Sequence, residues 1–312
     1  MTSRFSGHET FPCRYAWLPK TYRAIRRNPK LLADDDEAMV ELGIGKNMVR
    51  AARFWVQAMG VAAQDHDGAL ELTPFGNALL GPRGHDPFLE DVRTLWLLHW
   101  QLCSHVKHPL FAWDYMLSRW PHSEFTRSSA VQAFRDEGRR EERHLSDVTL
   151  EQHFDVFLHS YVPTRSRRID VDQDTLDCPL VELGLITKCG ERRDDGGLRR
   201  EPIYAFRREQ KMAVTSGLFS YCLCLFWEAR HAAERTLTYR EVSFGRGSPG
   251  QVFKLPEEDV RARLNSLEDD TNGAFSVRES AAAQHVIWST REPLSLDTVY
   301  AEQVCVAPSS HR

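Results

Sequence analysis

No stretch of this 312-residue chain is apolar for long enough to span a bilayer: the uncharged runs at residues 94–106 and 212–227 stop short of the roughly 20 residues required. They predict buried core helices. The start, MTSRFSGHETF, has no apolar run of the kind an export signal carries, and the seven cysteines are odd in number and irregularly spaced. A cytoplasmic, reduced protein with no disulfide framework and no membrane partner is expected. Cys222 and Cys224, at i and i+2, point to different faces and are no redox CxxC, and the glycines between 245 and 250 lack the Lys-Ser/Thr of a phosphate loop. No Ser-His-Asp or Cys-His set can be assembled either.

Acids are locally missing, and that absence is informative. The formal charge of −4 and mean hydropathy of −0.46 describe a polar chain without an overall nucleic-acid signature, so any basic surface must be local. Between Thr10 and Ala33 there are six cations, Arg14, Lys20, Arg23, Arg26, Arg27 and Lys30, and no acid. Between Lys46 and Asp65 there is again no acid. A purely structural amphipathic helix mixes Glu with Lys on its wet side, whereas phosphate contacts need cations.

What fills the second gap is LGIGKNMVRAARFWVQAMGVAA, residues 42–63. Read as a helix from Lys46, it stacks Lys46, Arg50, Arg53 and Gln57 at i, i+4, i+7 and i+11, opposite Met48, Ala52, Trp55 and Met59. A shorter helix, DDDEAMVE, feeds it through the Gly43-Ile44-Gly45 turn, which is the order of a helix-turn-helix. The run LELTPFGNALLG then continues as a winged helix does. Lys46, Asn47 and Arg50 are candidates to reach bases, and the arm cations Arg14, Lys20, Arg23, Arg26 and Arg27 to touch backbone phosphate. The competing reading is a solvated basic face.

The chain as a whole reads as mainly α with small β: a winged-helix-like unit at 1–84, a helical middle at 85–168 and a second winged-helix-like unit at 169–312. GPRG at 81–84 looks like a hinge, RDEGRREER at 135–143 like a linker, and the cluster Arg165, Arg167, Arg168 like a solvated connection. Residues 187–208 predict a hairpin turning at Asp194-Asp195-Gly196-Gly197, whose Arg192, Arg193, Arg199 and Arg200 would make it a DNA-binding wing. A stretch at 251–255 reads as extended and 275–288 as a strand followed by a helix.

Two chemical readings compete with a binding role. His99, Cys103, His105 and His108 are zinc-ligand types at a spacing that matches no common site, which favours satisfied core groups over a metal. Asp195 with Glu209 and Lys211 follows the acid, acid-x-Lys order of metal-dependent nucleases, but the Glu and Lys lie beyond the strand that should carry them. Neither metal, cofactor nor catalytic residue is expected.

FSGHETFP, LGIGKNMVRAARFWVQAMG, LTPFG and SPGQVFKL together resemble the bacterial domain-of-unknown-function family 4007, over nearly the whole chain. The resemblance implies a cytosolic protein encoded beside, or fused to, phosphoadenosine-phosphosulfate-reductase-like enzymes in DNA phosphorothioation and BREX-like phage-defence islands. This chain holds no sulfur-transfer part, so such chemistry would belong to a partner. Gly7, His8 and Glu9 match the family's opening motif, with no role implied. The expectation is a non-catalytic subunit that binds double-stranded DNA; a protein–protein adaptor is the second reading and a metal-dependent nuclease the third.

Overall fold

Three consecutive aspartates start the first helix pair. In the computed structural model, which describes residues 3–66, 68–143, 145–163, 177–193, 200–279 and 284–301, Asp34 accepts hydrogen bonds from the Asp36 and Glu37 amides. Asp35 and Asp36 then sit where the helix dipole favours acid. After α1 (Trp17–Arg27), this helix is α2 (Asp35–Leu42), and it stops at Gly43, whose φ of 64° is left-handed. The chain re-enters helix at once as α3 (Lys46–Ala58), then forms the antiparallel pair β1 (Ala62–Gln64) and β2 (Leu70–Leu72), and α4 (Pro74–Leu80) with Thr73 as cap. Ala52, Trp55 and Met59 are buried as their spacing predicts, while Met48 is only half-buried at the rim. The glycines at 81 and 84 form no free hinge. Amides of Gly84, His85 and Asp86 bond back to carbonyls of Gly81, Ala78 and Leu79, which staples the turn to α4.

The middle of the chain packs α5 (Val92–Ser104), α6 (Phe111–Asp114) with a π-helical turn at Tyr115–Arg119, the short β3 (Glu124–Phe125), α7 (Arg127–Arg140) and α8 (Asp147–Tyr161). Most of the segment expected as a linker is α7. Its start is fixed by a Thr126/Ser129 capping box, Ala130, Val131 and Phe134 bury its inner side, and its charges pair at i, i+3, Arg140 with Glu137 and Arg139 with Asp136. The expected hairpin is present as β4 (Ile186–Arg193) and β5 (Arg200–Phe206), but β5 also pairs with β3, in the order β3-β5-β4. Stacking of Phe125 on Tyr204 and its contact with Phe206, at 5.8 and 5.1 Å, tie the hairpin to the middle helices. Its turn at 194–197, Arg199 and the cluster at 165–168 lie outside the described residues.

Beyond it come α9 (Ser216–Arg230), β6 (Thr236–Thr238), α10 (Tyr239–Phe244), α11 (Pro249–Val252), α12 (Glu257–Asp270), β7 (Phe275–Glu279), β8 (Gln284–Trp288) and α13 (Asp297–Tyr300). Residues 251–255 are helix end and turn rather than extended, with Lys254 at a left-handed φ of 53°. The segment 275–288 contains two strands, and the sheet order is β6-β8-β7. Among the described residues no helix is long and apolar enough to cross a membrane.

One buried ion pair joins this last part to the middle. Arg246 grips Asp114 with two hydrogen bonds of 2.8 Å, and Arg119 approaches the same carboxylate at 3.1 Å. Asp114 has a side chain only 3% exposed, and removing one partner of a buried pair costs about 3–5 kcal/mol. Arg246 is itself 40% exposed and Arg119 would remain, so Arg246→Ala should sit at the low end, about 3 kcal/mol, read as a lowered denaturant midpoint. A midpoint unchanged within error would show that the pair does not hold the two parts together.

Candidate nucleic-acid interface

The α2-turn-α3 arrangement turns the long cations of α3 toward a single carboxylate. Asp35, in the first turn of α2, lies 3.7 Å from Lys46, 2.9 Å from Arg50 and 3.1 Å from Arg53. The three cation side chains are 52%, 44% and 31% exposed and Asp35 17%, so the carboxylate is at the base of the stripe and the cations at its surface. Partial burial pushes the Asp35 pKa up, but hydrogen bonds from Arg53 and Arg50 and their charges outweigh it and hold the carboxyl below its ordinary value. The stripe thus keeps a surplus of positive charge with its geometry fixed. No acid lies within α3, but one from the preceding helix serves it, a pairing that the spacing along α3 does not reveal. Gln57 turns back to the Arg53 carbonyl, and Asn47 is exposed beside Lys46.

The arm cations divide into two kinds. Lys20, Arg23 and Arg26 stand exposed on α1 with no ion pair among the described residues. Arg27 is paired with Glu41 at 2.6 Å, and Arg14 lies over the rings of Phe11 and Trp17. The hairpin arginines do not join this surface. Arg192 donates to Thr126 Oγ1 at the start of α7, and Arg193 and Arg200 are exposed partners across β4 and β5.

The opening motif is a clamp. Gly7 has φ 111°, and a Cβ there would meet the Phe54 ring at 2.8 Å; Glu9 and Thr10 are also left-handed. This contorted turn buries His8, whose Nε2 meets His153 Nδ1 at 3.1 Å, while Glu9 is exposed. The Thr10 amide donates to His8 Nδ1 and the Ala112 amide to His153 Nε2. With both outer nitrogens accepting, each neutral ring would carry its proton on the facing nitrogen, so one of these three bonds is compromised. Burial, then the Arg4 charge, pushes His8 down to about 4, and burial lowers His153 as well.

The His/Cys group is dispersed into ordinary partnerships. His99 bonds Tyr161 Oη and the Val252 carbonyl, Cys103 lies 4.0 Å from His99, and His105 bonds the Ala58 carbonyl. Among the described residues no three His, Cys, Asp or Glu gather as a metal site. Glu209 is paired with Arg207, and the Lys211 ammonium is bound to the Arg207 carbonyl; Asp195 lies outside the described residues.

The model of a family described as "Protein of unknown function (DUF4007)" matches residues 5–302. The chain belongs to this family. The DUF4007 match takes in the Phe5 arm, the α3 stripe and α13 alike. Among solved structures, the magnesium ion-bound crystal structure of SspB is 28% identical, with a TM-score of 0.77 and a match covering 92% of this chain and 83% of that one. A second SspB crystal structure is 27% identical with a TM-score of 0.76 over the same shares. A comparison with curated proteins finds no match.

The buried histidines give this DUF4007 chain a defined acid response. His8 and His99 take protons near 4 when folded and near 6.5 when unfolded, so between those values the unfolded chain binds more protons. Stability should therefore fall as pH drops from about 6.5 to about 4, by at most ~1.4 kcal/mol per pH unit for each histidine. Urea midpoints across that window should show the slope, and His8→Gln should remove roughly one histidine's share of it. An identical slope in His8→Gln would mean that His8 titrates in the fold as it does in water.

Proposed function

We propose that the chain is a non-catalytic, double-stranded-DNA-binding subunit of a bacterial DNA-modification or phage-defence system, with residues 1–84 as a winged helix that docks α3 in the major groove. The observation that carries this reading is the α3 stripe, Lys46, Arg50 and Arg53 held outward by Asp35, beside Lys20, Arg23 and Arg26 of α1, which form no ion pair among the described residues. The order helix, helix, glycine turn, helix, two-stranded hairpin supports it, as β1 and β2 stand where a wing would. The phosphorothioation or BREX-like setting rests on the family resemblance alone, as does a sulfur-transfer enzyme as partner.

The second winged-helix-like unit belongs, on this reading, to residues 216–288 rather than to the arginine hairpin. There the order is helix, strand, two short helices, helix and a two-stranded hairpin, with the first strand beside the last. Its last helix, α12, carries exposed Glu257, Glu258, Glu268, Asp269 and Asp270, which repel phosphate. DNA reading is therefore assigned to the first unit.

A second reading, in which the chain acts on DNA with a divalent cation, is favoured by one observation: the SspB structure that resembles it is magnesium ion-bound. Magnesium-dependent nicking of supercoiled plasmid by the purified chain would replace the non-catalytic reading with this one. A chain that neither binds nor cuts DNA would be an adaptor.

A salt-titrated gel shift tests the leading reading directly. Arg50→Ala with Arg53→Ala should abolish sequence-specific binding and leave the fold intact. Lys20→Ala or Arg23→Ala should weaken all sequences alike and lower the slope of log affinity against log salt by ~0.9 for each phosphate no longer neutralised. If the Arg50/Arg53 double variant folds and binds as tightly as the parent, α3 is not the reading helix.

Asp35→Asn gives an independent check. Removing the acid leaves three cations unneutralised and unpositioned, so affinity for random duplex should rise, with a salt slope steeper by up to ~0.9, while discrimination between sequences narrows. Weaker binding to every duplex would place Asp35 in a purely structural role.

A further inference from the structure

The middle of the molecule holds a cleft of about 920 Å³ that neither the α3 stripe nor the clamp uses. It lies between the π-helical turn, β3 and α7, and Tyr115, Trp120, Thr126, Gln132, Asp136 and Arg192 are among its lining residues. The geometry points to a binding site for a nucleotide of single-stranded or locally unpaired DNA, its base held in this cleft and its phosphate at Arg192.

Three kinds of lining group select that ligand class. Trp120 and Tyr115, half-buried and edge-to-face at 6.3 Å, supply aromatic wall, and every base offers a π-face to such a wall. Trp120 is fixed in place by its indole N–H, which donates to the Glu124 carbonyl at 3.1 Å. One turn apart on α7, Gln132 donates to Asp136 at 3.0 Å and accepts from Arg135, so the amide and carboxylate stand fixed side by side, with the second amide proton and the second carboxylate oxygen left as the donor and acceptor types that read a base edge. Arg192 then supplies the cation. Its Nη2 donates to Thr126 Oγ1 at 3.0 Å and its Nε lies 3.8 Å from the Glu201 carboxylate, which together orient the guanidinium, and its side chain is still half exposed for a phosphate to approach.

The other classes fit less well. An aliphatic ligand would take water from Gln132, Asp136 and Arg192 and give no polar contact in return, and a polyanion without a base would meet the Asp136 carboxylate. A base with its phosphate uses all three wall types, and a cleft of this size lies within the range of small-ligand sites. The inference deepens the DNA-binding reading and rests on it for the source of the nucleotide, because a base reaches such a cleft only from an unpaired strand or after extrusion from the duplex.

The test uses the full chain and two probes: a single-stranded oligonucleotide of about 12 nucleotides carrying one 2-aminopurine, and a duplex carrying the same base opposite a mismatch. The parent should bind the single strand and quench the 2-aminopurine as it stacks, and should quench it in the mismatched duplex more than in a matched one. Trp120→Leu should weaken single-strand binding by about 5- to 150-fold, the range for removal of one base stack, and should leave matched-duplex affinity unchanged. Gln132→Ala, at an exposed position, guards against a folding artefact and should also reduce quenching. The Arg50→Ala/Arg53→Ala variant should do the reverse, losing duplex and keeping single strand. A parent that binds no single strand and leaves the mismatched base unquenched overturns the cleft assignment, as do Trp120→Leu and Gln132→Ala variants that match the parent. A parent that binds the single strand but no duplex overturns the duplex-reading role of α3 and leaves the cleft standing.

Discussion

One short helical segment, residues 111–119, takes contacts from both the amino-terminal arm and the last part of this chain. It ends at Trp120, which precedes Pro121 and is extended with ψ 121°, and this leaves the Leu117 carbonyl among the open last carbonyls of the helix. The Lys254 ammonium takes it at 2.6 Å, inside the core and over the Phe206 ring. Burial, with the Arg208 charge, brings that lysine down to about 7. Ser118 Oγ accepts from the Gly247 amide, and Asp114 binds Arg246. On the other side the amino-terminal arm adds a strand-like contact, Arg4 to Pro109 and Phe111 back to Arg4, and Phe5 stacks on Phe111 at 4.4 Å. Moving this turn would move both ends.

The same turn gives the FSGHETFP motif its physical meaning. His8 touches His153, His153 is held by the Ala112 amide, and Phe54 of α3 presses on Gly7 and His8. Trp55, next in α3, donates its indole N–H to the Phe11 carbonyl. The motif is therefore a wedge between α3 and the middle helices, and its demand for glycine and for a small aromatic acceptor is a demand of packing. Packing accounts for Gly7 and His8, while Glu9 stands exposed outside the wedge.

Legibility in the sequence followed the range of each interaction. The α3 helix was readable because its period, its glycine turn and its unbroken positive charge are all local. The partner that organises it was not, since Asp35 reaches Lys46, Arg50 and Arg53 only once α2 folds back across the Gly43 turn. The hairpin at 186–206 was legible as a hairpin, but its place in the fold depends on β3, two residues long and more than 70 positions earlier. In α7 the charges mask a helix whose apolar side is narrow, and β8 reads as helix in the sequence because the alanines before it carry no turn signal. The cleft beside Trp120 draws on the π-helical turn, β3, α7 and β4, so no window of the sequence contains it.

On the proposed function, charge separates the two winged-helix-like units. The first unit presents its third helix with cations outward and no internal acid, and the last presents α12 with five exposed acids against one exposed Arg261. Screening confines each field to about 8 Å at physiological salt, so the local sign of a surface counts for more there than the formal −4 of the whole chain. On the proposed function, the α1 and α3 cations attract a duplex and the α12 acids repel it. On the proposed function, this is how a chain of net negative charge admits DNA in one pose, and why the reading surface needs only the cations of α1 and α3 to do it.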